Sequence, residues 1–244
     1  MSKRGGITAA VPLARPPRFD EWLECYFAPY DNVDSPWDRF PIGGDEDFPD
    51  FSGTDAELVE LFTYTMLTSG TELAKFSDHQ VGNGLKVIFD DCFSNIARTV
   101  VNAAVSIDQR ILAIQSLMPL YKDCLTPRAP QIIGNLSEKG NCPPLSYICY
   151  MLWDVTALTS KISVVEPSTK KSVLIETLCQ VLCLPKANPA CIESILHGLG
   201  HLAFSHPKYR EEVQAAIDYF LNNHPIGRPE LRQYALYAKM GRVQ

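Results

Sequence analysis

NPACIESILHGLGHLAFSH, residues 188–206, indicates one long helix and decides the fold class of the chain. Asn188 followed by Pro189 is typical of a helix start, because the asparagine side chain caps the first turn and proline fits its first position. Gly198 and Gly200 lie inside this helix, where each glycine costs about 1 kcal/mol relative to alanine. We therefore expect another backbone to approach the helix closely at these two glycines, although a ligand that touches the helix would require the same space.

Other helix starts precede this stretch and carry a capping box, in which a Ser or Thr is followed three residues later by Glu or Gln. The three boxes are Thr54 with Glu57, Ser77 with Gln80, and Ser106 with Gln109. Apolar residues follow each box at helical spacing, which predicts three further helices.

Apolar spacing and prolines predict the remaining helices. They cover about 19–27, 92–104, 144–158, 173–182 and 207–222, and a last helix begins at Pro229. Only KISVVE, residues 161–166, has the composition of a strand.

These patterns give about nine or ten helices, joined mostly by short connections. Without accompanying strands they cannot form a sheet-based enzyme fold, so antiparallel helix pairs are the economical arrangement. Pairs stacked side by side form an irregular all-α solenoid of the HEAT or armadillo kind, which is the fold that we predict. An orthogonal helix bundle is the alternative, because the chain shows no strict repeat period.

The chain of 244 residues divides into an N-terminal arm and one helical domain. Residues 1–17 are rich in Gly, Pro and Arg and lack periodicity, which predicts a flexible arm. Residues 18–244 then form a single all-helical domain. This domain includes a long loop over 28–53, where prolines prevent regular structure.

Composition excludes several classes of partner and indicates a cytoplasmic protein. The net charge of −6 argues against a broad phosphate-binding surface, so we expect no nucleic-acid partner. No uninterrupted apolar run reaches about 18 residues and no secretory signal is visible, so we expect no membrane contact. The 8 cysteines are scattered without a CxxC pair, and we interpret several of them as buried thiols rather than zinc ligands.

The loop over 28–53 interleaves acidic residues with aromatic ones, a mixture that suits a protein contact. Aromatic side chains would anchor a partner while the carboxylates attract its basic groups. The predicted partner-binding residues are Trp37, Asp38, Asp45, Glu46, Asp47 and Phe48. Alternatively, the aromatic side chains only attach a long crossing segment to the helices and the acids stay solvated.

Glu193, His197 and His201 form a stripe along the helix of residues 188–206, and they are the candidate metal ligands. Histidines four residues apart are a known ligand arrangement, although the HExxH motif itself is absent. Glu193 and His201 lie about 12 Å apart along the helix axis, so a third ligand would have to come from elsewhere. Alternatively, both histidines serve packing by hydrogen bonding to neighbouring carboxylates or carbonyls.

Two C-terminal segments resemble uncharacterised bacterial helical-repeat proteins of the HEAT or armadillo type. They are ESILHGLGHLAFSHP, residues 193–207, and RPELRQYALYAKMGRVQ, residues 228–244. The resemblance is best at the C-terminal end, weakens over the middle third and does not reach the acidic loop. It implies the helical-repeat fold and supplies no activity.

No GxSxG, GxxxxGK[ST] or GxGxxG motif occurs, and we predict no cofactor. The leading prediction is a non-enzymatic helical-repeat protein, an adaptor or an immunity-type inhibitor, that binds a protein partner through its acidic and aromatic surface. The alternative is a metal-dependent hydrolase or a small-ligand binder. In that case His197 and His201 hold a divalent ion, and Asp154 or Glu193 activates water.

Overall fold

The computed structural model describes residues 14–31, 51–134, 143–161 and 172–243. Every regular element within these ranges is helical and none is a strand, which confirms the predicted all-α class. Most of the predicted arm, over 1–17, and most of the acidic loop, over 28–53, lie outside the described residues. The strand-like segment 161–166 also lies outside them, apart from Lys161.

The first half of the described chain contains six α-helices and one 3-10 turn. They are α1 (Phe19–Tyr26), the 3-10 turn Ala28–Tyr30, α2 (Asp55–Leu67), α3 (Ser69–Glu72), α4 (Asp78–Phe89), α5 (Ile96–Val100) and α6 (Ile107–Gln115). The three predicted capping residues begin α2, α4 and α6, where each side chain accepts the backbone N–H three residues later. Ser77 and Gln80 complete the reciprocal capping box.

Helix α5 is shorter than the predicted helix over 92–104 because side chains form turns on both sides of it. The Asp90 carboxylate accepts the backbone N–H of Cys92 at 2.9 Å, and the Asn102 side chain accepts that of Ala104 at 3.0 Å. Such local bonds compete with helical backbone bonds.

The segment 117–128 is helical although sequence analysis predicted no helix there beyond Met118. It consists of α7 (Leu117–Pro119), a π-helical turn (Leu120–Leu125) and α8 (Thr126–Arg128). Pro119 and Pro127 lie in this segment, and each removes a backbone donor from a helix interior. The chain accommodates them by changing its helical pitch between the two prolines.

The second half contains α9 (Pro144–Val155), α10 (Ala157–Ser160), α11 (Val173–Leu182), α12 (Pro189–Ser205), the 3-10 turn Pro207–Tyr209, α13 (Arg210–Asn223) and α14 (Pro229–Lys239). Asn188 caps α12 as predicted, since its side-chain oxygen accepts the backbone N–H of Ala190 at 2.9 Å. Its amide also donates to the backbone oxygen of Ala129 at 2.6 Å, which ties the start of α12 to the end of α8.

Helix α12 lies at the centre of the second half, where it packs against α9, α10, α11, α13 and α14. The expected close approach at its glycines comes from side chains rather than from a backbone. The Trp153 ring contacts Gly198, and the Val243 side chain contacts Gly200. A backbone approaches this closely at Gly82 instead, where α4 meets the start of α9 at Leu145.

Among the described helices, none combines the length and the apolar composition that crossing a membrane requires.

Candidate metal centre

Helices α9 and α12 bring one carboxylate and two imidazoles together. Asp154 is the penultimate residue of α9, whereas His197 and His201 lie one turn apart on α12. Oδ2 of Asp154 lies 2.8 Å from Nε2 of His197, and Oδ1 lies 2.9 Å from Nε2 of His201. The two Nε2 atoms are 3.0 Å apart. We call these three residues the Asp-His-His cluster.

The Asp-His-His cluster is closed on one side and accessible on the other. The His197 side chain is fully buried, whereas those of Asp154 and His201 are 27% and 26% exposed. A small molecule or solvent can therefore reach the carboxylate and the second imidazole without any rearrangement of the helices.

Tyr234 of α14 hydrogen-bonds to the ring nitrogen of His197 that faces away from Asp154. Its hydroxyl lies 2.5 Å from Nδ1 of His197 and also hydrogen-bonds to the hydroxyl of Tyr150. Burial raises the pKa of Tyr150 to about 12 and that of Tyr234 further still, so both phenols are neutral. A neutral Tyr234 hydroxyl can donate to Nδ1 of His197 while Nε2–H donates to Asp154, and it can accept the Nδ1 proton when Nε2 serves as a metal ligand.

Asp154 is ionised in this setting. Burial favours the neutral form of its carboxyl, but hydrogen bonds from His197 and His201 outweigh burial and hold its pKa below the usual range. The cluster therefore presents one negative charge and two imidazole nitrogens to a common point.

Two imidazoles and one carboxylate suit a divalent transition metal such as Zn²⁺ or Fe²⁺. The candidate ligand atoms of the three residues all lie within 4.8 Å of one another. Ligands at about 2.0–2.1 Å from a tetrahedral ion lie roughly 3.3 Å apart. The contacts of 2.8, 2.9 and 3.0 Å between the cluster atoms are shorter than this spacing by only a few tenths of an ångström.

Two cavities border the Asp-His-His cluster. The first, of about 720 Å³, is lined by residues of α12, α14 and the segment after α14, including His201 and Tyr234. The second, of about 440 Å³, is lined mainly by polar residues, including Asp154, His201 and His206. His201 and Ser205 line both cavities, so the cluster lies between two spaces that a ligand can occupy.

Glu193, the third candidate ligand from the sequence, lies outside the cluster. Its side chain is buried, and its carboxylate accepts the backbone N–H of Gly134 at 2.7 Å. The third member of the cluster is instead Asp154, which lies on α9. The sequence indicated Asp154 only as a possible base.

The structure brings together His197, His201 and Asp154 but does not describe the predicted partner-binding residues. Trp37, Asp38, Asp45, Glu46, Asp47 and Phe48 all lie outside the described ranges. Binding of a protein partner through them stays a prediction.

The sequence patterns do not identify Tyr234 and Tyr150, which both contact the buried His197. Tyr234 is 37 positions from His197 and belongs to a different helix. A tyrosine on an apolar helix face looks like any other core residue, so no local signal in the sequence identifies this contact.

Comparisons with known proteins find no matching family model, no similar curated protein and no similar solved structure. The resemblance to bacterial helical-repeat proteins therefore stays a prediction, and the Asp-His-His cluster carries the argument for function.

Proposed function

We propose that the protein binds a divalent transition-metal ion through Asp154, His197 and His201 and uses the open positions of that ion to bind a small molecule. The observation that carries the proposal is the convergence of three different ligand atoms from two helices. Tyr234 supports it further, because metal-binding histidines usually have their second ring nitrogen held by a hydrogen bond.

The short separation of the two imidazoles suits ligands of one ion. Their Nε2 atoms are 3.0 Å apart and both face Asp154. Without a cation, the Nε2–H of each imidazole can donate to one oxygen of the Asp154 carboxylate. A metal ion would take the place of these two protons, and both imidazoles and the carboxylate would then direct lone pairs at the same positive charge.

Three protein ligands leave at least one position for water or substrate, as in catalytic zinc sites. A bound ion would polarise a carbonyl or phosphoryl oxygen and acidify a coordinated water, which is the chemistry of a metal-dependent hydrolase. His197 and Tyr234 would fix the geometry from the buried side. His201 and Asp154 border the cavities and would lie next to the substrate.

Titration of the metal-depleted protein with Zn²⁺ and Co²⁺ tests the proposal. We expect one ion per chain, and Co²⁺ absorption bands of nitrogen and oxygen ligands without thiolate charge transfer. The absence of thiolate charge-transfer bands would distinguish this centre from a metal site formed by cysteines. His201→Ala should weaken binding at least tenfold, whereas His224→Ala, which changes a histidine away from the cluster, should leave it unchanged.

Two results would contradict the proposal. One is the absence of stoichiometric binding to the folded wild-type protein. The other is equal affinity in wild type, His201→Ala and Asp154→Asn. Because His201 is partly exposed, its substitution is less disruptive to the fold than that of buried His197.

The HEAT- or armadillo-like solenoid and the protein-binding function are separate proposals. The sequence of the segment 28–53 supports the second. A partner purified with the protein should dissociate at moderate salt, because acidic attraction is screened. Joint replacement of Asp45, Glu46 and Asp47 by amides should weaken that complex, and unchanged binding would remove the segment from the interface.

A further inference from the structure

The larger cavity beside the Asp-His-His cluster has an aromatic wall. Phe204 of α12 and Tyr237 of α14 line it, and their side chains are 71% and 43% exposed. Exposing large aromatic side chains around a concave space is unfavourable unless something covers them. The volume of about 720 Å³ falls within the range of small-molecule sites.

A sharp turn after α14 fixes the opposite wall of this cavity. Gly241 has a φ of +68°, and the backbone N–H of Arg242 donates to the backbone oxygen of Tyr237 at 2.9 Å. The turn places Val243 against Gly200 of α12. Arg242 is thereby held at the edge of the cavity by its own backbone.

Arg242 supplies an uncompensated positive charge to the cavity. Its guanidinium has no ion-pair partner among the residues that the structure describes. The nearby Lys239 is instead paired with Asp218 at 2.7 Å. No other lysine or arginine lines this cavity within the described part of the chain.

We propose that this cavity binds a small aromatic carboxylate, with the carboxylate on Arg242 and the ring between Phe204 and Tyr237. A guanidinium pairs with a carboxylate through two parallel hydrogen bonds. One arginine neutralises the single charge of a carboxylate. This inference rests on the proposed function, because it places the ligand next to His201 and so next to the metal.

Two probes of similar shape, one charged and one neutral, distinguish the contribution of the carboxylate to binding from that of the aromatic ring. We would titrate the protein with 2-naphthoate and with neutral 2-naphthalenemethanol by calorimetry, in metal-free and in zinc-loaded form. Arg242→Gln should weaken 2-naphthoate binding roughly tenfold, the equivalent of one charge-assisted contact, and leave the alcohol unaffected. Tyr237→Ala should weaken both probes. Arg232→Gln, which changes an exposed arginine on α14, is the matched control and should weaken neither.

The metal-free titration makes the two proposals separable. If 2-naphthoate binds in an Arg242-dependent manner but Zn²⁺ does not bind, the anion site stands and the metal centre fails. If Zn²⁺ binds while 2-naphthoate fails to bind either form, the carboxylate site is overturned and the metal centre stands. Equal affinity of 2-naphthoate for wild type and Arg242→Gln would also overturn the inference.

Discussion

The hydroxyl of Tyr234 lies 2.5 Å from Nδ1 of His197, and the other ring nitrogen of the same imidazole faces Asp154. The imidazole is thereby held between a phenol on α14 and a carboxylate on α9. These two contacts fix the tilt of the ring and keep Nε2 directed at the cluster.

Replacement of Tyr234 by Phe should lower zinc affinity roughly tenfold while the fold persists, because loss of a hydrogen bond to the second ring nitrogen of a metal-binding histidine typically has an effect of this size. Competition against a chromophoric chelator measures the change. Tyr237→Phe on the same helix is the control and should retain wild-type affinity. Equal affinities in the two variants would mean that Tyr234 serves packing alone.

His197→Ala should destabilise the metal-free protein by about 1–3 kcal/mol, since a buried polar group that loses its partner pays a desolvation penalty. The hydroxyl of Tyr234 and the Asp154 carboxylate both lose a hydrogen bond in this variant. Urea denaturation gives the free energy of unfolding. His224→Ala should cost less, and a cost as large as that of His197→Ala would contradict the assigned role.

Gly82→Ala should destabilise the protein by about 1–3 kcal/mol, as expected for overpacking in a core. An added Cβ would lie 2.8 Å from Cα of Leu145 and nearer still to other atoms of the α9 backbone, which cannot rotate away. Gly227→Ala is the matched control, because an added Cβ there meets nothing within 4 Å. Equal midpoints of urea unfolding for the two variants would contradict the close contact of α4 and α9.

Buried Cys124 and half-buried Cys179 should become reactive only at high pH. Burial raises the pKa of Cys179 to about 12 and that of Cys124 to about 11. Both thiols stay protonated in the folded protein at pH 8, whereas unfolding would return them toward 9.0. Their contribution to stability is therefore complete below pH 9.0 and is lost as the pH rises through the folded values.

Iodoacetamide labelling followed by peptide mass spectrometry checks this expectation. Among the thiols that the structure describes, exposed Cys92 should be labelled first at pH 8, although the neighbouring Asp90 charge raises its pKa. Labelling of Cys179 should increase about tenfold per pH unit between 8 and 10, in proportion to its thiolate fraction. Fast labelling of Cys179 at pH 8 would show that this thiol is not protected.

The parts of the structure that the sequence predicted depend on contacts between neighbours in the chain. Two helix starts were predicted correctly, at Ser77 with Gln80 and at Asn188 with Pro189. The hydrogen bonds that form them span three residues or fewer, so the local sequence is enough to predict them. Asp154 meets His197 across 43 positions, and that meeting depends on how α9 packs on α12. The sequence showed the two histidines one turn apart on a helix, but it did not identify Asp154 as the third member of the Asp-His-His cluster.

The contact of Trp153 with Gly198 provides an optical reporter of the cluster. Trp153 is buried, precedes Asp154 in the chain and lies against α12 one residue beyond His197, where its indole N–H donates to Ser194 at 3.2 Å. An ion bound at Asp154, the next residue in the chain, would change the electrostatic surroundings of this indole. A chain in which Trp22 and Trp37 are replaced by Phe would emit from Trp153 alone. Its fluorescence would then follow occupancy of the centre in real time, without an attached dye.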